Sequence, residues 1–229
     1  MISGGIPLFD PAGIATTFED WTTEYGVDTG ATAVWTGALN GLVLSQATSA
    51  KRPTLVKRDV NGYDALAFDH TATQHIGLAS FVHAQPYGFL LVYKCTNQSA
   101  ASNNDNVITF GPTTATRYVI SDTTPRCFLS GGTNLAGSPQ VKLAEAKYSY
   151  LVAYLNGTSS WFSIDGRRVN VGDAGTSATT QLTLAGFSDS THCTTISASK
   201  MTWFGALTSD EEAKMATFCR RKYGIVGRG

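Results

Sequence analysis

The stretch KYSYLVAYLNGTSSWFSIDGRRV, residues 147–169, is the most informative part of the chain about its fold. Residues 147–155 alternate as a two-faced β-strand does, and one face carries Tyr148, Tyr150, Val152 and Tyr154. Asn156-Gly157 and Asp165-Gly166 follow, and both pairs are typical of type I′ turns in tight β-hairpins. The stretch therefore predicts three antiparallel strands joined by two tight turns, with RRVNV as the third strand.

Asp165 is also one of the few carboxylates that could act in catalysis, so it has two possible roles, a catalytic one and a structural one in the turn. Type I′ geometry needs positive φ at both central residues, and Asp and Gly tolerate this conformation well. We therefore predict that Asp165 serves the turn and not catalysis. The tyrosine face of the preceding strand is either a binding stripe or one face of an inner sheet packed on its neighbour.

Strand signals continue on both sides of this stretch. YGFLLVYK (87–94) is a longer apolar run, as expected of a strand that is covered on both faces. Shorter candidates, bounded by Gly, Pro, Thr or Asn, lie at 64–69, 107–110, 117–121, 126–130, 181–186 and 199–207. Several short strands with Gly-rich turns predict an all-β protein built as a two-sheet antiparallel sandwich.

A short C-terminal helix closes the predicted fold. Thr208 with Glu211, and Ser209 with Glu212, each fit a capping box. One face carries residues at i, i+3, i+4 and i+7, which predicts packing against the sandwich; they are Met215, Phe218, Cys219 and Lys222. Gly224 suits the position just after the helix.

Composition limits the kind of partner. The 229 residues have a formal net charge of +0 and 15% are charged, whereas a duplex-binding domain presents a basic face, so no nucleic acid is expected. No apolar run approaches the ~18 residues of a membrane span. The start, MISGGIPLFDP, lacks the basic and apolar regions of a signal peptide. The dispersed cysteines, Cys95, Cys127, Cys193 and Cys219, are predicted to be buried free thiols, with a disulfide as the alternative.

Four segments occur in an order that resembles a known family: QATSAKRPTLV (46–56), VNGYDALAFD (60–69), FSIDGRRV (162–169) and LTSDEEAKMATFCRRKYGI (207–225). This succession resembles the concanavalin A-like, laminin-G-like jelly rolls of bacterial and phage proteins. The resemblance implies two antiparallel sheets packed face to face with Greek-key connections. It covers residues 9–226 as a single domain, and residues 1–8 are predicted to form an N-terminal arm.

Two loops depart from the family pattern. WTGALNG (35–41) lacks the Asp of the Asp-x-Ser-Gly loop that often follows the first Trp of such domains. Phe68-Asp69-His70 stands where members often have Phe-Asp-Gly. We therefore carry over no metal-linked or ligand-linked role for these two loops.

The sequence lacks the residue patterns of the catalytic sets known in sandwich glycosidases. Sandwich glucanases place Glu-x-Asp-x-Glu on one strand face, and none of the five glutamates of this chain fits that spacing. Glu19-Asp20-Trp21 is the one acidic-aromatic cluster that could line a cleft. His70 and His75 are interpreted as surface or loop histidines, since a metal site would need further ligands. The chain is predicted not to be an enzyme.

Binding residues are easier to nominate. Sugars stack on exposed aromatic rings, so Trp21 and Trp35 are the candidate platforms, while Trp161 and Trp203 lie in predicted strands and are expected in the core. Asn103, Asn104 and Asp105 form a loop rich in hydrogen-bonding groups, and a solvated loop is the alternative interpretation. Asp105 could also contribute to a Ca²⁺ site, since Ca²⁺ prefers several oxygen ligands, but no cofactor is otherwise expected.

The functional prediction is a non-catalytic structural or display protein, a phage virion component of the capsid-decoration or fibre type. Its partners would be virion structural proteins, met through the arm or through the acidic first fifty residues, or a cell-surface glycan. Localisation is then the virion, assembled in the host cytoplasm, and homo-oligomers are possible. The alternative is a glycan-binding adhesion module, and a glycan hydrolase ranks third.

Overall fold

The computed structural model describes residues 17–23, 31–95, 105–111, 116–121, 126–136, 147–187 and 193–227. Within these ranges it contains sixteen β-strands and one α-helix. The strands are β1 Thr17–Thr22, β2 Val34–Thr36, β3 Val43–Ser45, β4 Thr54–Val60, β5 Tyr63–Phe68, β6 Ile76–Leu78, β7 Tyr87–Cys95, β8 Asp105–Thr109, β9 Thr116–Ser121, β10 Arg126–Gly131, β11 Asn134–Ala136, β12 Tyr148–Leu155, β13 Ser160–Ile164, β14 Arg167–Gly172, β15 Leu182–Leu184 and β16 Ile196–Phe204. The helix, α1, is Ser209–Tyr223.

The strands form two antiparallel sheets, which confirms the predicted sandwich. Sheet A has the order β14-β13-β12-β7-β16-β5-β4, and β1 pairs with the second half of β16, beyond its pairing with β5. Sheet B has the order β11-β10-β9-β8-β15-β6-β3-β2. The predicted meander is present as β12, β13 and β14. The centre of sheet A, however, joins strands that are far apart in the chain.

The main core lies between the two sheets. Trp203 on β16 is wholly buried there, and its ring stacks on Tyr87 and Phe89 with centroid distances of 5.2 and 5.6 Å. The inward face of β12 adds Leu151, Ala153 and Leu155. Each large apolar side chain buried in this way contributes roughly 1.5–3 kcal/mol to stability.

A second apolar cluster covers the outer face of sheet A, where α1 packs. Met215, Phe218 and Cys219 contact the outward face of the central strands, including Tyr150 and Val152. The tyrosine face is therefore not an inter-sheet surface: Tyr150 and Val152 are buried beneath the helix, while Tyr148 and Tyr154 are partly buried beside this cluster. Trp161 belongs to this cluster and is 7% exposed, so its predicted place in the core is confirmed together with that of Trp203.

The conformation of one of the two predicted turns follows from its local sequence, and that of the other does not. Asp165 and Gly166 have φ values of 53° and 81°, the positive values that a type I′ turn requires. The Asn156-Gly157 prediction is wrong in type: Asn156 has φ −153°, and a 3₁₀ turn spans Gly157–Ser159. The Ser160 hydroxyl stabilises this longer loop, since it accepts from the Asn156 amide at 2.8 Å and donates to the Gly157 carbonyl at 2.7 Å.

The helix ends and the cysteines agree with prediction. Thr208 and Glu211 form a reciprocal capping box, and Gly224 follows the helix with φ 68°. All four cysteines are buried free thiols. Among the helices of the described residues, none is both long and apolar enough to span a membrane. The predicted arm, residues 1–8, lies outside the described residues.

Candidate functional site

Trp21 and Trp35 do not offer stacking faces, which corrects their predicted role in sugar binding. Both side chains are 0% exposed, and both belong to the core between the sheets. Trp21 donates its ring N–H to the Leu42 carbonyl at 3.0 Å and meets Phe81 edge to face. Because β1 is paired along β16, the Trp21 ring is turned into the sandwich and away from solvent.

The polar-loop candidates stay predictions. Asn103 and Asn104 lie outside the described residues, and for Asp105 the structure describes the backbone at the start of β8. Within the residues that are described, no cluster of three or more His, Cys, Asp or Glu side chains could hold a metal ion.

Glu19 and Asp20 are internal structural groups, which corrects the expectation that they line a cleft. The wholly buried Glu19 carboxylate accepts backbone N–H bonds from Asp20, Leu39, Asn40 and Leu42 at 2.8–3.2 Å. A Cβ on Gly37 would lie 2.2 Å from the Glu19 Cδ atom, so glycine is needed at that position. Asp20 forms a buried ion pair with Lys200 and accepts from the Thr202 hydroxyl at 2.6 Å.

The two histidines are separately engaged and do not form a metal pair. The Nδ1 atom of His70 lies 2.6 Å from the Thr195 hydroxyl. His75 lies in the loop before β6, as one of the two predicted alternatives has it, but it is buried, and its Nδ1 lies 3.0 Å from the Thr73 carbonyl. Gln46 approaches the other ring nitrogen of His75 at 2.9 Å.

The best candidate site is a groove of about 710 Å³ on the outer side of sheet A, here called the tail groove. One wall is the end of β4 with the turn after it, a second is the start of β12, and a third is the segment that follows α1. Its lining comprises Asp59, Val60, Asn61, Lys147, Tyr148, Ser149, Asp165, Tyr223, Gly224, Ile225 and Val226. The volume lies within the usual ~300–1,000 Å³ of small-molecule sites.

Asp59 is the polar centre of the tail groove. Its carboxylate oxygens accept from the Lys94 ammonium at 2.8 and 3.0 Å, and Oδ2 also accepts from the Tyr148 hydroxyl at 2.6 Å. Lys94 and Tyr148 are direct cross-strand partners on β7 and β12. Asp59 reaches them from β4 because the register of β4 shifts after Val56 and Arg58 takes a φ of 54°.

The charge states of this cluster follow from its hydrogen bonds. Burial acts to raise the pKa of the Asp59 carboxyl, but the bonds from Lys94 and Tyr148 outweigh it and hold that pKa below its usual value. Burial and the bond to Asp59 raise the pKa of the Tyr148 phenol. Asp59 is therefore an ionised acceptor near neutral pH, and Tyr148 is a proton-bearing donor.

Hydrogen bonds of two further residues, Asp165 and Asn61, hold the walls of the tail groove together. Asp165 accepts from the Tyr150 amide at 2.9 Å and from the Ser149 hydroxyl at 3.1 Å, so the turn residue also braces the start of β12. Asn61, with φ 47°, donates its side-chain amide to the Lys222 carbonyl at 2.7 Å and ties the β4–β5 turn to the end of α1. The groove is thus a built feature of the fold.

Sequence reasoning missed the tail groove because its parts are separated in the chain. Asp59 and Tyr148 are 89 residues apart, and β4 and β7 are not neighbours in sheet A. The Asn61-Gly62 pair signals a turn, but no local pattern shows which strands that turn will meet. A half-buried Asp beside a Lys becomes visible as a site only in three dimensions.

Comparison with known proteins gives structural matches alone. No protein-family model and no curated protein matches the sequence. Domain 4 of an extracellular arabinanase of family GH43 from Geobacillus stearothermophilus, in complex with arabinotriose, aligns with a TM-score of 0.58 and 13% identity. That alignment covers 88% of this chain and 98% of the domain.

Two other matches belong to different proteins. Trypanosoma rangeli sialidase, in complex with sialic acid, gives a TM-score of 0.59 at 11% identity, over 97% of this chain and 37% of the sialidase chain. A pentraxin from Limulus polyphemus gives 0.50 at 10% identity, over 67% and 81% of the two chains. The chain therefore shares a jelly-roll-like β-sandwich with these proteins, which confirms the predicted resemblance at the level of fold.

Proposed function

We propose that this chain is a non-catalytic carbohydrate-binding domain and that the tail groove holds a neutral saccharide. The observation that carries the proposal is the hydrogen-bonded pair of Asp59 and Tyr148 in the lining of a groove of about 710 Å³, with Lys94 bonded to the same carboxylate. The ionised Asp59 carboxylate and the Tyr148 phenol, held in fixed geometry, offer an acceptor and a hydroxyl group to sugar hydroxyls.

The remaining lining suits the same kind of ligand. Ser149, Asn61 and Lys147 add a hydroxyl, an amide and an ammonium group around the central cluster. Tyr148, which is partly exposed, supplies aromatic surface, and sugars use such surface through their C–H faces. The similarity in fold to a domain solved with arabinotriose supports this choice of ligand class.

The charge states favour binding without catalysis. Retaining and inverting glycosidases need a carboxylic acid that stays protonated because its pKa is raised. The pKa of Asp59 is instead lowered, and the carboxylate of Asp165 is taken up by Ser149 and Tyr150. In the tail groove neither carboxyl group is therefore suited to protonate a leaving group.

The virion role predicted from the sequence is compatible with this proposal and stays a prediction, as do virion localisation and the bacterial or phage type of the domain. A display protein on a particle can carry a glycan site. Docking through the acidic first fifty residues loses support, because Glu19 and Asp20 are buried and bonded inside the sandwich.

The proposal can be tested with a blocking variant. Val226 lines the groove and is 77% exposed, so Val226→Trp should fill the groove without disturbing the core. On a broad glycan array, read with and without Ca²⁺, we expect saturable binding to one class of neutral glycan. Val226→Trp should weaken that binding at least tenfold. Val82→Trp is the matched control, since Val82 is 70% exposed and is not part of the groove lining.

Two results would count against the proposal. A blank array from folded protein, or equal binding by Val226→Trp and wild type, would remove the groove as a glycan site. Release of reducing sugar from the bound glycan would show that the domain is catalytic.

A further inference from the structure

The outer face of sheet B carries a row of polar side chains in one register. Thr183 on β15 pairs with Thr109 on β8, Thr109 pairs with Arg117 on β9, and Arg117 pairs with Ser130 on β10. Directly paired residues point to the same side of a sheet. Their chain neighbours point into the core instead, among them Leu182, Leu184, Ile108, Tyr118 and Leu129.

Arg117 is the unusual member of this row. It is 7% exposed, and its guanidinium lies 5.2 Å from the Phe128 ring centroid. Its Nη1 atom donates one long bond, 3.3 Å, to the Asn106 side-chain oxygen, and its buried Nε has no hydrogen-bond partner within the described part of the chain. None of the ion pairs among the described residues includes Arg117.

The few contacts of the buried Arg117 guanidinium do not offset the cost of removing its charge from water. A charge removed from water is costly unless it is paired and hydrogen-bonded, and burial alone lowers the pKa of Arg117. An aromatic ring beneath the group and one amide oxygen beside it do not replace a counter-ion. An arginine offers five N–H donors in a planar fork, and a carboxylate matches two of them at once.

We propose that Arg117 anchors a second binding site, on the outer face of sheet B, for the carboxylate of an acidic saccharide. The carboxylate would pair with the unused Nε side of the guanidinium, while Asn106 and Phe128 hold the group in place. The site lies on the opposite sheet from the tail groove, so it does not depend on the function proposed for that groove.

The surroundings favour a saccharide over an acidic peptide. A pocket of about 240 Å³ opens along the same face and is lined by Gln46, His75, Gln181 and Thr183, among others. Thr183 lies two strands from Arg117 in the pairing order, which is roughly 10 Å at the usual strand spacing. Hydroxyl and amide groups at that distance suit the hydroxyls of the next sugar ring.

Calorimetric titration with trigalacturonate tests the site. Wild type should bind trigalacturonate and should bind its uncharged methyl ester at least tenfold more weakly. Arg117→Met keeps the buried stem and removes the charge, so it should lose binding at least tenfold. Its unfolding midpoint without ligand should equal or exceed that of wild type, because an uncompensated buried charge has been removed.

Controls separate this site from others and from a folding defect. Arg168→Met removes a guanidinium that stacks on Trp161 at 3.7 Å and bonds Glu212, and it should leave uronate binding unchanged. Val226→Trp should also leave it unchanged. Should Arg117→Met fail to fold, Arg117→Lys keeps the charge but lacks the planar fork, and it should bind several-fold more weakly.

Three outcomes would overturn the proposal. They are no binding of trigalacturonate by wild type, equal binding by wild type and the Arg117 variant that folds, and binding of a triglutamate peptide in preference to trigalacturonate. The last outcome would assign the site to an acidic peptide.

Discussion

Replacing Lys200 by methionine should unfold this protein far more readily than the same replacement on its surface. Lys200 is 3% exposed and pairs with Asp20, while Lys57 pairs with Asp64 at 2.7 Å with its own side chain 64% exposed. Burial lowers the pKa of Lys200 even though Asp20 lies beside it, so the pair already bears a large desolvation penalty.

The magnitude follows from what remains after the change. Methionine keeps the apolar stem packed, but Asp20 becomes a buried carboxylate whose described partner is the Thr202 hydroxyl. Breaking a buried pair from one side costs about 3–5 kcal/mol, and the Thr202 bond places the expectation near the lower end. Lys57→Met should cost ~1 kcal/mol or less, as exposed pairs do.

Urea unfolding at pH 7 measures both variants on one scale. The double variant Asp20→Asn with Lys200→Met removes both charges and should recover much of the loss. Equal losses for Lys200→Met and Lys57→Met would refute the reasoning.

Two further predictions concern the helix cap and the tail groove. Thr208→Ala removes the capping box and should lower the free energy of unfolding by about 1 kcal/mol. Thr217→Ala, on the exposed side of α1, is the control and should change the free energy of unfolding little. Equal effects of the two variants in urea unfolding would contradict the capping argument. Because the pKa of Asp59 is lowered on folding, its stabilising effect is present above about pH 4 and is lost as the pH falls through the folded-state value. The stability gap between wild type and Asp59→Asn should therefore narrow below pH 4, and a gap that stays constant from pH 7 to pH 3 would contradict this assignment.

Local chemistry accounts for the elements that were predicted correctly. Asp165-Gly166 turns as expected because positive φ is a property of the two residues themselves. The α1 cap forms because Thr208 and Glu211 are three residues apart. Several strands were not predicted, and four of them, β2, β3, β6 and β11, have three residues each, which leaves little room for an alternating pattern.

The surroundings of the candidate site residues, by contrast, depend on contacts between distant parts of the chain and were not predicted. Trp21 looked like a surface platform because the segment around it is irregular in sequence, yet its strand pairs with β16 and turns the ring inward. Glu19 was a candidate for the lining of a cleft and is instead bonded to loop amides up to 23 residues away. The tail groove and the uncompensated Arg117 were not visible in the sequence at all.

The sequence by itself determined the turn types set by Asp and Gly, the ends of the helix and the all-β class, since each depends on residues within a few positions of one another. Tertiary structure alone decided which strand faces are covered and which carboxylates are left for binding. The physical reason is distance along the chain: Asp20 meets a partner 180 residues later, and burial depends on such partners. Burial then sets whether a charge is paired inside the fold or, like Arg117, has no counter-ion among the residues that the structure describes.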